Sequence, residues 1–99
     1  MSYKIRWSKS VITKIEEQKK YIEYDSPKAA KLWAQNIKSK QAIIKENPFI
    51  GRIVPEFEVS NYRELIIGNY RLVYIVSERF IDFVEFWNCK EDVGNDDDN

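Results

Sequence analysis

The sequence predicts an α+β domain in the order β-α-α-β-β-β, with a helical hairpin packed on one face of a mostly antiparallel four-stranded sheet. Three observations carry this. Two long stretches repeat apolar residues at helical spacing, and only Ser26-Pro27 separates them. Gly68-Asn69 separates two short apolar runs, and these residues tolerate the positive φ of a two-residue hairpin turn. Tyr3-Lys4-Ile5-Arg6-Trp7 alternates apolar and polar residues, as a half-buried strand does.

After that first strand, Ser8 or Ser10 can cap a helix that starts between Lys9 and Val11. Val11, Ile15 and Ile22 share one face, with Ile12 close by, and Lys14, Glu17 and Lys20 lie toward the other side. The helix ends near Asp25. Ser26 then serves as an N-cap, and Pro27 takes the first helical position, where its missing N–H costs nothing. The second helix runs to about Glu46, with Ala30, Trp33, Ala34, Ile37 and Ile44 as its apolar stripe and Gln41 on the same line. Asn47-Pro48 stops it. Helices joined so closely pack antiparallel, and two narrow stripes need a sheet to lie on. Residues 49–61, with Gly51 and Pro55, read as a loop. Strands follow over about 62–67, 70–76 and 80–87, with Ser77-Glu78-Arg79 as the second turn. Residues 1–89 make the single domain, and 90–99 an acidic tail expected to be disordered.

The hairpin turn places the charges. A two-residue loop pairs Ile67 with Tyr70, Leu65 with Leu72 and Arg63 with Tyr74, and paired residues share a face. That face is rich in large apolar side chains and belongs under the helices, with Arg63 at its margin. Glu64 and Arg71 then share the opposite, open face as diagonal neighbours. As an exposed cross-strand ion pair they contribute about 0.2–1 kcal/mol. Turned toward a ligand, Arg71 becomes an anion contact.

Composition narrows the function. Ninety-nine residues, 43% hydrophobic and 14% aromatic, suffice for one core. No apolar run reaches the roughly 18 residues a membrane span needs. The first residues lack a signal peptide's apolar segment, so a cytoplasmic location is expected. The single Cys89 excludes an internal disulfide and reads as a packing residue. With no histidine in the chain, the commonest general acid/base and zinc ligand is missing. No metal or cofactor is expected. Net charge is zero, but residues 91–99 carry five acids, leaving 16 basic and 11 acidic residues, a net of +5, in residues 1–90. A solvated tail on an ordinary surface explains this, and so does a basic face for a polyanion that the tail can screen. Trp7 and Trp33 read as core residues, while Trp87 falls at the sheet's end.

Several pieces in order carry a resemblance: Trp7-Ser8, Ser26-Pro27 with Ala29-Ala30 and Trp33, Asn47-Pro48 with Gly51-Arg52, Val54-Pro55-Glu56, Arg63-Glu64-Leu65, and Tyr70-Arg71-Leu72-Val73-Tyr74. From Tyr3 to about Asn88 the chain resembles toxins of the RelE/ParE superfamily, the small toxins of bacterial type II toxin–antitoxin pairs. Arg63-Glu64-Leu65 and the Ala29-Ala30…Trp33 helix are more similar to the ParE branch, which poisons DNA gyrase. The Pro48-Phe49…Gly51, Pro55-Glu56 and Arg71-Leu72-Val73-Tyr74 pieces are also similar to YoeB-like ribonucleases, which cut mRNA on the ribosome without a metal.

The resemblance implies two sets of roles. For a gyrase poison acting by contact, the binding residues are Arg52, Arg63, Glu64, Arg71 and Lys90, with the helical hairpin as further surface. For a ribosome-dependent endonuclease, Glu56 matches the YoeB-like base for the 2′-hydroxyl and Arg71 the phosphate-binding arginine. The acid for the leaving 5′-oxygen has no match, because Phe86-Trp87-Asn88-Cys89-Lys90 stands where YoeB-like members carry histidine and tyrosine. Lys90 can donate that proton only if its pKa is lowered substantially. The incomplete set favours the gyrase poison, and an inactive relic of the family is the third reading. The implied partners are a cognate antitoxin and either gyrase or the ribosome with mRNA. A homodimer and a toxin–antitoxin hetero-oligomer both stay open.

Overall fold

The computed structural model describes residues 3–57 and 61–89. Its elements are β1 (Lys4–Trp7), α1 (Lys9–Asp25), α2 (Pro27–Glu46), β2 (Arg52–Ile53), β3 (Tyr62–Ile67), β4 (Tyr70–Val76) and β5 (Phe80–Asn88). They build one five-stranded sheet in the order β1-β5-β4-β3-β2. β1 runs parallel to β5, and the other neighbours are antiparallel. The expected strand order is therefore present with one strand more. β2 lies inside the segment read as a loop. It pairs through only Arg52 with Glu64 and Ile53 with Arg63, and two residues are too few to show an alternating pattern.

Both helices begin where side-chain caps are available. Ser8 Oγ accepts from the Val11 N–H at 3.2 Å, and Ser26 Oγ accepts from the Ala29 N–H at 3.1 Å. Ser26 also ends α1, its own N–H donating to the Ile22 carbonyl at 2.9 Å. One serine thus closes one helix and opens the next, which makes the hairpin tight. The hairpin register is as expected: Ile67 opposes Tyr70, Leu65 opposes Leu72 and Arg63 opposes Tyr74. Gly68 supplies the positive φ, at 61°.

The core lies between the helices and the sheet. Val11, Ile37 and Ile44 meet Ile67, Leu72, Tyr74, Val76, Ile81, Phe83 and Phe86. Trp7 stacks on Phe83 with ring centroids 4.2 Å apart, and Trp33 meets Tyr70 and Phe86 edge-on. β5 shows why both phenylalanines fit. Strict alternation from Ile81 and Phe83 would send Phe86 to the opposite face. A bulge opposite Val73/Tyr74 shifts the register, so Leu72 pairs with Phe86 and Tyr74 with Phe83, and both rings enter the core.

Tyr74 does more than fill space. Its buried hydroxyl accepts from the Gly51 N–H at 3.0 Å and donates to the Pro48 carbonyl at 2.7 Å. Burial raises its pKa, against the opposing effects of the Gly51 N–H and the Arg63 charge. Arg63 holds the same segment from the sheet margin, donating to the Phe49 and Gly51 carbonyls at 3.3 and 3.1 Å. The approach is so close that a Cβ at Gly51 would stand 2.6 Å from the Glu64 carbonyl oxygen and 2.7 Å from the Tyr74 hydroxyl. This latch delivers the chain to β2. Tyr74→Phe should therefore cost about 1–3 kcal/mol by orphaning a buried N–H and carbonyl. Thermal unfolding should show a Tm lower by roughly 5–20 °C, and an unchanged Tm would mean that the latch does not hold.

Candidate functional site

β2, β3 and β4 bring three charged residues together on the face away from the helices. Glu64 lies centrally, its side chain without exposed surface. One carboxylate oxygen, Oε1, accepts from Arg71 Nε at 2.8 Å and Nη2 at 2.5 Å. The other, Oε2, accepts from Arg52 Nε. A buried carboxylate between two guanidiniums has both oxygens satisfied, which is the condition for tolerating the charge there. The sequence reading of an exposed, weak ion pair is corrected here. The Arg71 side chain is only 15% exposed, and Glu64 is closed off by the Arg52 that β2 adds alongside it.

Arg71 is held from further sides. Its Nη2 also donates to Glu56 Oε1 at 3.4 Å, and its guanidinium carbon lies 5.1 Å from the centre of the Trp87 ring. Burial opposes its charge, but the hydrogen bond and charge of Glu64, with a smaller part from Glu56, outweigh that and raise its pKa. Glu56 is exposed in the turn after β2, and its pKa is lowered, first by its own backbone N–H and then by Arg71.

The residues expected to form a site are thus partly brought together. Glu56, Glu64, Arg52 and Arg71 form one cluster. Arg63 opposes Ile53 on the helix-side face and serves the latch, its guanidinium 4.9 Å from the Phe49 ring centre. Lys90 lies outside the described residues, as does the acidic tail. Glu64 cannot itself touch a partner. It fixes the two arginines, of which Arg52 has an exposed side chain. Exposed apolar residues flank the cluster, Ile66 opposite Arg71 and Phe57 in the turn after β2, while Ile53 lies on the other face of β2 and Phe49 and Ile50 on the latched segment. Sequence reasoning missed the Tyr74–Gly51 latch; the one available signal was a glycine directly before an isolated arginine. Among the described residues no cluster of metal-ligating side chains occurs, and no described helix is long and apolar enough to cross a membrane.

This helical hairpin on a mixed sheet accords with the family match, which makes the chain a toxin of the RelE/ParE superfamily. More particularly, residues 5–93 match the family model of the ParE toxin of type II toxin–antitoxin systems, parDE, and the chain belongs to that family. It is a type II toxin, and its family implies an antitoxin partner. No individual curated protein matches it.

Two outcomes check the cluster. Glu64→Gln removes the charge that both arginines share and should cost about 3–5 kcal/mol, whereas Arg52→Gln, which leaves one buried carboxylate oxygen without its partner, should cost about 1–3 kcal/mol. Urea unfolding of both variants measures this, and equal small losses would show that the buried carboxylate does not hold the sheet. The depressed Glu56 pKa sets a sign. Its contribution is complete above the ordinary carboxylate range and is lost as pH falls through the lower folded value. The stability advantage of the native protein over Glu56→Gln should therefore be present at neutral pH and disappear on acidification, read from unfolding curves across the acid range.

Proposed function

We propose that this toxin inhibits growth by poisoning DNA gyrase through direct contact, and that its antitoxin neutralises it by covering the same surface. That surface comprises Arg52 and the rim of Arg71, flanked by Phe57 and Ile66, with Arg63, the helical hairpin and Lys90 as further candidates. Exposed apolar residues beside a fixed cation suit a protein partner better than a polar solvent face.

The observation that carries this reading over catalysis is the occupancy of Arg71. Cleaving RNA with its own 2′-hydroxyl requires a base near neutrality and a guanidinium available to the phosphate. Here the Arg71 guanidinium is bound to Glu64 and Glu56, and Glu56 is a weaker base than an ordinary glutamate. The ribonuclease reading has one observation in its favour, the meeting of Glu56 with Arg71. The residues at the end of β5, Phe86-Trp87-Asn88-Cys89, offer it no acid of the expected type.

Purified toxin incubated with gyrase, ATP and supercoiled plasmid should accumulate covalent gyrase–DNA cleavage complexes, seen as linear DNA after detergent and protease. Glu56→Gln should poison as strongly as the native protein, and added antitoxin should abolish the effect. Intact plasmid, together with codon-spaced mRNA cuts in a translation extract that vanish in Glu56→Gln, would replace this reading with the nuclease.

A further inference from the structure

We propose that the outward face of α2 binds the phosphate backbone of duplex DNA. The inference does not rest on the gyrase reading, since DNA contact can fail while gyrase is still poisoned, and the reverse also holds.

The two helices form one layer but differ in charge. α1 carries four lysines and four acids and is neutral, whereas α2 carries five lysines and one acid. Four of the five, Lys28, Lys31, Lys38 and Lys45, are exposed. At about 100° per residue, Lys31, Lys38 and Lys45 fall within an arc of roughly 40°, and Lys28 widens it to about 100°. The arc is centred roughly 130° round the helix from the buried Ala30, Ile37 and Ile44, with Lys45 nearest to them. With a rise of about 1.5 Å per residue the row is about 25 Å long. Exposed Gln35 falls within the row and exposed Ser39 along its flank, and both side chains can donate hydrogen bonds to phosphate oxygens.

Stability alone does not explain this row. Lys28 sits in the first turn, where the helix dipole disfavours a cation, and that turn contains no acid. Lys28 and Lys31 stand three apart as like charges. Among the described residues no carboxylate forms an ion pair with any of the four lysines. Glu16 and Glu23 of α1 line the same interhelical groove as Lys31 and Lys38 without pairing with them. A straight row of cations without direct ion-pair partners complements a regular row of phosphates. An acidic peptide would instead find few apolar anchors there beyond Leu32 and Ile43 at the margin. The whole chain has no net charge, so attraction to DNA would report this face and not the overall charge of the molecule.

The test uses the full chain and a fluorescently labelled 20-base-pair DNA duplex, followed by anisotropy between about 50 and 200 mM salt. Four phosphate contacts predict a log–log salt slope near −3.6. The triple variant K31E/K38E/K45E should bind at least tenfold more weakly with a clearly shallower slope. The α1 variant K9E/K14E/K20E, of identical net charge and without Lys19 of the shared groove, should stay within threefold of the native protein. Far-UV circular dichroism of both variants verifies folding. Equal losses in the two variants, or no binding by the native protein at the lowest salt, would overturn the proposal. So would competition by poly-glutamate as effective as that by unlabelled duplex, which would assign the face to an acidic protein. A duplex RNA bound more than tenfold tighter than the DNA would also overturn it.

Discussion

Glu64 is the constraint around which the open face of this toxin is organised. Its carboxylate has no access to water, and such a charge persists only when its oxygens are fully engaged. The sheet supplies two guanidiniums from two different strands, Arg71 from β4 and Arg52 from β2. The pairing therefore ties the short edge strand to the centre of the sheet in addition to its two backbone pairs. It also sets what Arg71 can do. Bound to a buried carboxylate and to Glu56, Arg71 is a rigid, positively charged platform beside Trp87.

The opposite face meets the same strand by a different device. Tyr74 is a core side chain whose hydroxyl satisfies the backbone of the segment leaving α2, while Arg63 binds two of that segment's carbonyls. Gly51 lets the backbone come close enough for this to happen. The helical layer and the charged cluster are thus coupled through one stretch of chain, residues 48–53. That stretch also displays Phe49, Ile50 and Ile53 to solvent. A partner that grips these apolar side chains engages backbone locked from both faces of the sheet, so little ordering cost falls on binding.

Charge divides the molecule along a second line. α1 is neutral and its Lys14 approaches Glu85 at 3.9 Å, whereas the exposed lysines of α2 have no such partners among the described residues. On β1, Arg6 pairs bidentately with Asp82 and lies over the Phe80 ring. An edge strand carrying alternating charged residues in this way is protected against pairing with another sheet. Cations on this protein therefore serve distinct ends: Arg6 guards an edge, Arg52 and Arg71 neutralise a buried acid, Arg63 fastens a loop, and the α2 lysines face outward.

Much of the fold was legible in the sequence because its signals are local. Ser26-Pro27 marks a boundary between two helices whichever sheet they cover. Gly68-Asn69 dictates a two-residue turn, and that turn alone sets the pairing of Arg63 with Tyr74 and the separation of Arg71 from the core face. β2, the β5 bulge and the latch were not legible. Each depends on groups brought together from nine or more residues apart, and no periodicity records such encounters. The cluster was legible only in part: Glu64 and Arg71 could be placed on one face, but whether that face was wet or buried depended on Arg52 and Glu56 arriving from elsewhere. The sequence by itself determined which residues lie on which side of each strand, because alternation and turn length are properties of neighbouring residues. Only the tertiary structure decided that the central carboxylate is buried between two arginines, because burial is a property of everything that packs around a residue.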